Sequence, residues 1–297
     1  MRERRDMSNS FSYPDFIQRN LGFVSEDEQA RLRGSRVLVC GVGGMGGACL
    51  QALVRAGVGG FAIADFDRFE VSNMNRQVFA NLDTVGVGKV EATVAQIAKV
   101  NPQLVLETHG QEWVGKLDDL LARYKLVING MDDIKAGIAL YRKARERGAT
   151  VIDAYASPLP SVFVVRPGDP RPEERLNAAT VGRPLESIDA QATAAYFGRE
   201  IEHLLVHSSS AKHFDLDVAK DLLAGKRKRP SFAPMVITTG NLMAFEAVKV
   251  ILGRADGADN RGYFFNPWAM KVERPRDPVS AFVVRALVRR FMAKLAE

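Results

Sequence analysis

An α/β fold, built on a doubly wound, mostly parallel Rossmann-like sheet, is what this sequence predicts, and three observations carry the prediction. Short apolar runs alternate with helical stretches from Arg36 to Asp153. A glycine turn, Gly41-Val42-Gly43-Gly44-Met45-Gly46, follows the first of those runs. At 297 residues and 46% hydrophobic content the chain is long enough to bury the core of one large domain. Alternation of this kind places helices on both faces of a parallel sheet and a ligand at the carboxyl ends of its strands.

Arg36-Val37-Leu38-Val39-Cys40 ends at glycine, as a buried parallel strand does before a tight turn. Ala48, Leu50, Ala52, Leu53 and Ala56 then recur at helical spacing until Gly57-Val58-Gly59-Gly60 breaks the pattern. Phe61 to Ala64 reads as a second strand ending at Asp65, followed by a polar connection, a long helix near 88–100 and a third strand over Leu104 to Thr108. Tyr124 to Asn129 is a further strand, 134–147 a helix and Thr150 to Asp153 another strand. Beyond these, 176–232 reads as a helical insertion with helices near 190–206 and 215–225 joined by Ser208-Ser209-Ser210. A helix through Ala247 to Gly253 and a strand at Gly262-Tyr263-Phe264-Phe265 form a C-terminal extension, expected to be antiparallel. The domain plan is therefore a flexible N-terminus over 1–15, a nucleotide-binding unit over 16–165, an insertion over 166–234 and a returning core over 235–297.

No apolar run approaches the roughly 20 residues of a membrane helix, and the polar N-terminus has no hydrophobic signal region. The expectation is a cytoplasmic protein without a membrane span. Two cysteines, Cys40 and Cys49, supply neither a disulfide framework nor a four-cysteine zinc site, so no zinc is expected. Both read as core residues rather than reactive thiols. The net charge of +6 permits anionic partners without requiring them.

In a glycine turn of this type the first glycine makes the turn, the second lets backbone approach phosphate, and the third lets helix pack on strand. Gly41, Gly43 and Gly46 fit that pattern, with Gly44 beside them. The helix that follows offers unpaired N-H groups to an anion. Asp65 stands at about the 20-residue spacing that suits a ribose hydroxyl. By itself this set introduces NAD or FAD as well as ATP. The discriminating piece is Ser72-Asn73-Met74-Asn75-Arg76-Gln77, since a dinucleotide enzyme has no need of an Asn, Arg and Gln cluster there.

At this point the chain resembles the ThiF/MoeB-type adenylyltransferases, the superfamily that includes the ubiquitin-activating enzymes. The resemblance runs from about Ile17 to Arg166 and again from Thr238 to Gly253, with the glycine turn, Asp65-Phe66-Asp67, Asn73-Met74-Asn75-Arg76-Gln77, Lys89 and Asp132 in the family's order. It implies that ATP and a carboxylate give an acyl adenylate and pyrophosphate. Arg76 is then expected to reach the phosphates with its fork of donors, Asn73 to orient it, and Lys89 to support the phosphates from another side. Asp132 is expected to hold Mg2+, an ion that prefers oxygen ligands. Asp132 has the competing reading of a cap on the next helix, and Asp133 competes for the metal role. Asp67 and Gln77 complete the implied nucleotide contacts. Lys89 has the competing reading of a solvated surface cation.

Gln18-Arg19-Asn20 stands where the family carries an arginine that crosses a homodimer to the partner's nucleotide, but both flanking residues depart from the pattern. Arg19 is thus a candidate contact in trans or an ordinary surface charge. Members that form thioesters carry a cysteine in the crossover loop, and none lies between Arg166 and Pro234 here. The implied chemistry therefore stops at the adenylate or passes the acyl group to an external nucleophile. Candidate substrates are a carrier-protein or peptide C-terminus or a small carboxylate; a dehydratase acting on a threonylcarbamoyladenosine of tRNA is the alternative, and an NAD-dependent oxidoreductase a weaker one.

Three features read as structural. His203 and His207 lack an intervening Glu of the His-Glu-x-x-His kind and are expected on a solvated helix face. Lys226-Arg227-Lys228-Arg229 reads as a mobile basic loop. The tail from Val279 to Glu297 reads as an amphipathic helix with Val284, Leu287, Val288, Phe291 and Leu295 on its docking face and Arg285 and Arg289 opposite.

Overall fold

The structure is a computed structural model that describes residues 11–223, 226, 227, 229–254 and 256–296. Residues 1–10 of the expected flexible N-terminus and Lys228 of the basic run lie outside them. One eight-stranded sheet runs in the order β3-β2-β1-β4-β5-β6-β7-β8. Its strands are β1 Arg36–Cys40, β2 Gly60–Ala64, β3 Val105–His109, β4 Leu126–Asn129, β5 Thr150–Asp153, β6 Ser161–Val165, β7 Tyr263–Asn266 and β8 Lys271–Glu273. The first five are parallel and the last three antiparallel; the parallel part and an antiparallel extension were expected, whereas β6 and β8 were not read as strands.

The order reverses beside β1, where β2 lies on one side and β4 on the other. That is the topological switch point, and it opens a crevice at the carboxyl ends of β1 and β4. Burial explains the sequence of β1 and β2: helices cover both faces, so every residue after Arg36 is buried and the runs are continuous rather than alternating.

The helices are α1 Tyr13–Ile17, α2 Glu26–Gly34, α3 Gly44–Arg55, α4 Lys89–Ala98, α5 Leu117–Arg123, α6 Ile134–Arg147, α7 Pro172–Arg175, α8 Ala190–His207, α9 Leu216–Leu223, α10 Ala233–Leu252 and α11 Pro278–Ala296. One cluster of core side chains, with Phe61, Ile63, Leu50 and Met243, fills the face carrying α3 and α10; a second, with Leu38, Leu120 and Leu140, fills the face carrying α5 and α6. Cys40 and Cys49 are fully buried, one in each cluster, and burial pushes both thiols far above their ordinary range. They are core residues, as expected.

Three expectations are corrected. The first concerns membrane-length segments: α10 is long and apolar enough to span one, with a mean hydropathy of 1.5 over its window. Its apolarity has a local cause, because Gly240 lets it lie against Met45 and Ala48 of α3 while Met243, Ala244 and Ala247 are buried there. The second concerns α11. Arg285 and Arg289 both turn inward to Glu202 of α8, at 3.3 and 3.1 Å, while Leu287 is 64% exposed. Val284, Val288 and Phe291 keep the half-buried side expected of them, so the acid on α8 adds the two arginines to that side and leaves Leu287 out; the side chain of Leu295 is outside the described atoms. Third, His203 is buried against Arg175, Tyr155 and Phe163 rather than solvated.

The segment between β6 and β7 is tied to the sheet by a buried charge pair. Arg142 of α6 makes a two-pronged bond to Glu173 of α7 at 2.9 and 2.8 Å and also donates to the carbonyls of Arg183 and Thr180. Glu173 is buried, so this geometry satisfies a charge that water does not reach.

Candidate active site

The crevice at the switch point widens into a cavity of about 1020 Å3, near the upper end of the range that houses a small ligand. One half is built from the glycine turn, Asp65, Arg76, Lys89 and the β4–α6 loop. The other is built from the end of β5, α8, the loop before α10 and the β7–β8 turn.

The glycine turn has a steric origin. Gly41 takes φ +87 and lies against the backbone of Gly130, where a Cβ would stand 2.8 Å away. A Cβ on Gly46 would come within 2.0 Å of the Gly41 carbonyl oxygen. Both positions therefore require glycine. Gly43 caps α3 without any side-chain bond, so the first N-H groups of that helix are left for an anion. Gly44 packs under the Arg76 side chain.

Asp65 receives the Val42 N-H on Oδ2 at 2.9 Å and the Asp67 N-H on Oδ1 at 3.0 Å. Each oxygen keeps a lone pair for a ligand hydroxyl. Lys89 is 7% exposed and donates to Asp67 Oδ2 at 2.8 Å, while its backbone N-H donates to Asp67 O. It is thus a buried cation at the cavity wall, not a solvated one. The guanidinium of Arg76 donates to Ser72 O and to Asn75 Oδ1 at 3.1 and 2.9 Å. Gln77 is 6% exposed, faces the cavity, and its Oε1 has no partner among the described residues. An unpaired buried acceptor carries a cost that a ligand donor would remove.

Asp132 and Asp133 separate in role. Asp133 caps α6, its Oδ1 receiving the Ala136 N-H at 3.0 Å. Asp132 points no bond into the helix and lines the cavity with Lys89 and Arg76. Among the described residues no group of three or more His, Cys, Asp or Glu gathers to hold a metal without help.

The structure brings together Gly41, Gly43, Gly44, Asp65, Asp67, Arg76, Gln77, Lys89 and Asp132 around one cavity. Three residues expected there are not on its wall. Gly46 is buried under Gly41, where it shapes the turn. Asn73 acts through backbone, its Oδ1 receiving the Glu70 N-H and its carbonyl receiving the N-H of Arg76 and of Gln77. Arg19 lies on a short 3-10 turn, Gln18–Asn20, exposed and away from this chain's own cavity.

Along and behind the second half lie Asp153, Tyr155, Arg175, Tyr196 and Glu200, which sequence reasoning did not single out, together with His203 and Arg229, which it read as surface features. Asp153, at the end of β5, receives the Tyr141 hydroxyl at 2.5 Å and the Ala154 N-H at 2.7 Å. Burial raises its pKa to about 6 against the pull of those bonds. Arg175 donates to the Tyr155 hydroxyl at 2.8 Å. His203 Nε2 donates to Arg261 O at 2.9 Å, which leaves Nδ1 to accept from Arg175; burial then holds this neutral ring's pKa at about 2. Glu200 and Tyr196 reach the cavity from α8, and Arg229 reaches it from the basic run with its guanidinium 4.6 Å from the Phe197 ring centre. Asn75 Nδ2 bonds Ser231 O, tying that run to the Arg76 segment. The signal for Asp153 was the same as for Asp65, an acid ending a strand; Glu200 had the signal of an acid one helical turn from Tyr196.

Residues 17–281 match the model of the ThiF family. The chain is 32% identical over 178 residues to ubiquitin-like modifier-activating enzyme 5 of Drosophila ananassae, covering 54% of this chain and 44% of that protein. It is 30% identical over 151 residues to the molybdopterin-synthase adenylyltransferase of Haemophilus influenzae, covering 50% and 62%. The chain thus spans roughly half the length of the curated relatives it matches. Among solved structures, E. coli MccB with MccA-N7isoASN aligns with a TM-score of 0.64 at 18% identity over 91% of this chain and 74% of that one. E. coli tRNA N6-threonylcarbamoyladenosine dehydratase aligns with a TM-score of 0.57 at 20% identity over 82% and 96%. These two likenesses are of fold.

Proposed function

The chain belongs to the ThiF family, and from that membership we propose that it is an ATP-dependent adenylyltransferase that activates a carboxylate as an acyl adenylate without an internal thioester. The observation that carries the reading is the single wall on which Arg76, Lys89, Asp65 and Asp132 meet beside an uncapped helix N-terminus.

A carboxylate oxygen attacks the α-phosphorus of ATP, an O–P bond forms, and the bond to pyrophosphate breaks with its electron pair on the leaving group. Two anions must approach, so the barrier is largely electrostatic. Arg76 donates two N-H groups to the phosphates once it exchanges its bonds to Ser72 and Asn75. Lys89 supplies a desolvated charge beside it, and Asp65 orients the ribose. Asp132 would hold Mg2+ together with phosphate oxygens, which suits an ion that takes few protein carboxylates; the metal would neutralise phosphate charge. Both cysteines are buried, which supports transfer to an outside nucleophile rather than to the protein's own thiol.

Arg76→Ala is expected to lower AMP formation by roughly 10²–10³-fold, the loss typical of a transition-state donor. Unchanged AMP release, measured with carboxylate acceptors and radiolabelled ATP, would overturn the assignment of the phosphate site. A second reading is action on a threonylcarbamoyl group of tRNA; the +6 charge and Arg229 at the cavity favour an anionic acceptor. AMP formation driven by tRNA and by no carboxylate of protein or peptide would select it.

We further infer a homodimer. Arg19 sits away from its own cavity, and Phe23 beside it is 87% exposed, a combination that fits an interface placing Arg19 against a partner's nucleotide.

A further inference from the structure

One face of α11 packs toward α8 and α9 and carries Ala281, Val284 and Val288, with Arg285 and Arg289 reaching Glu202. The opposite face is exposed and apolar. Val279, Phe282, Val283 and Leu287 recur there at i, i+3, i+4 and i+8, a spacing that gathers them into one stripe, and each is between 57 and 77% exposed. Ala286 lies among them, and Arg290 and Lys294 follow at the C-terminal end of the stripe. Single apolar side chains in water are ordinary, but a contiguous outward stripe marks a surface that something covers.

The ground around the stripe is basic. From Arg274 to Ala296 the chain has six cations, Arg274, Arg276, Arg285, Arg289, Arg290 and Lys294, against one acid, Asp277. Asp277 is engaged at the helix start, where its Oδ1 receives the Val279 and Ser280 N-H groups. Glu202 is shared by three guanidiniums, Arg199 at 3.0 Å, Arg285 at 3.3 Å and Arg289 at 3.1 Å, so that cluster keeps a net positive charge. Arg276 donates to Val206 O, and Arg274 stands over the Tyr263 ring. Neither of these, nor Arg290 or Lys294, has a carboxylate partner among the described residues. A second copy of this chain seated here across a two-fold axis would set these cations against their own kind. A nucleic acid would satisfy the cations and leave the apolar stripe in water. A surface of anionic headgroups over hydrocarbon meets both needs.

We propose that the outward face of α11 rests on an anionic lipid surface, where Val279, Phe282, Val283 and Leu287 enter the headgroup boundary and Arg290 and Lys294 meet lipid phosphates. A helix lying in that plane sinks by roughly 5–10 Å, about the reach of its side chains, so the protein is held at the surface and spans nothing. The longer apolar helix α10 keeps Met243, Ala244 and Ala247 in the core. Burial of the stripe supplies the hold once contact is made, while the cations supply a longer-range attraction that salt screens. Long stems let Arg290 and Lys294 keep their charges at the level of the phosphates as the helix sinks. None of these six residues lines the nucleotide cavity, so the proposal stands apart from the adenylation reading.

The test is co-sedimentation of the full chain with vesicles of phosphatidylcholine alone and of an equal mixture of phosphatidylcholine and phosphatidylglycerol. Partitioning onto the mixture is expected to be at least tenfold stronger. It should weaken severalfold when salt rises from about 0.1 M to about 1 M, since the screening length then shrinks from about 10 Å to 3 Å. No binding to the mixture, or equal binding to both vesicles, would overturn the proposal; these arms need only the unsubstituted protein. Phe282→Ser combined with Leu287→Ser is expected to lower binding to the mixture at least tenfold, and Arg290→Gln combined with Lys294→Gln to do the same. Thermal melts of both variants should match the unsubstituted protein, because all four side chains are exposed. Vesicle binding that survives the loss of Phe282 and Leu287 would overturn the role of the stripe. A dimer that Phe282→Ser with Leu287→Ser converts to monomer, without vesicle binding by the unsubstituted protein, would assign the face to a second copy instead.

Discussion

Glu200 lies in a wall where burial and Asp153 disfavour its charge, so its pKa rises to about 8 from an ordinary 4.5. Below the ordinary value both folded and unfolded chains hold the proton and the group contributes nothing. From there up to about pH 8 only the unfolded chain releases it, so stability falls as pH rises through that window. Glu200→Gln is therefore expected to raise the melting temperature at pH 8 by at least roughly 2 °C and to change it little at pH 4.5; a fall at pH 8 would contradict the burial argument. His203 works in the opposite sense. Its folded pKa is about 2 against an ordinary 6.5, so the stability it contributes is complete above 6.5 and is lost as pH falls below it. Arg76, Lys89 and Asp132 were legible as site residues because their types and order match a known pattern. Glu200 was not, because an acid on an amphipathic helix looks the same whether its face meets water or a cavity.

Two helices carry the largest differences between reading and structure. The apolar count along α11 pointed Leu287 inward, but Glu202 on α8 draws Arg285 and Arg289 to the interface and turns Leu287 out. Glu202→Ala is expected to loosen α11 selectively: amide exchange should quicken over 278–294 and remain unchanged in β1 and β4. Unaltered exchange in α11 would mean that apolar contacts alone hold it. The α6–α7 link is stronger because it is drier. Glu173→Ala leaves Arg142 with a charge and several donors short of partners, a change expected to cost about 3–5 kcal/mol in denaturant unfolding. Replacing both residues by apolar ones of similar size should cost much less. By contrast the bounds of α6 were readable from the sequence, and the structure shows what sets them: Asp133, rather than Asp132, caps its start and Gly148 ends it in the left-handed conformation.

At the scale of the whole molecule, the sheet's reversal beside β1 places the half of the cavity that holds Arg76 and Lys89, and the end of β5, α8 and the segment before α10 wall the other half. If two chains pair through the Arg19 region, Phe23→Asp is expected to shift the mass measured by light scattering from dimer to monomer and to lower AMP formation together with it. A monomeric unsubstituted protein would remove Arg19 from the site. The sequence by itself determined the parallel sheet, the glycine turn and the phosphate-side residues, since these depend on short-range pattern: buried runs, a turn only glycine can make, and residue types at fixed spacing. Only the tertiary structure decided that Lys89 is buried on Asp67, that Asp132 rather than Asp133 is free, and that Asp153, Glu200 and Arg229 share one wall. Those outcomes depend on which helix face meets which strand end across long stretches of chain, and burial, not residue type, sets the charge each group can hold there.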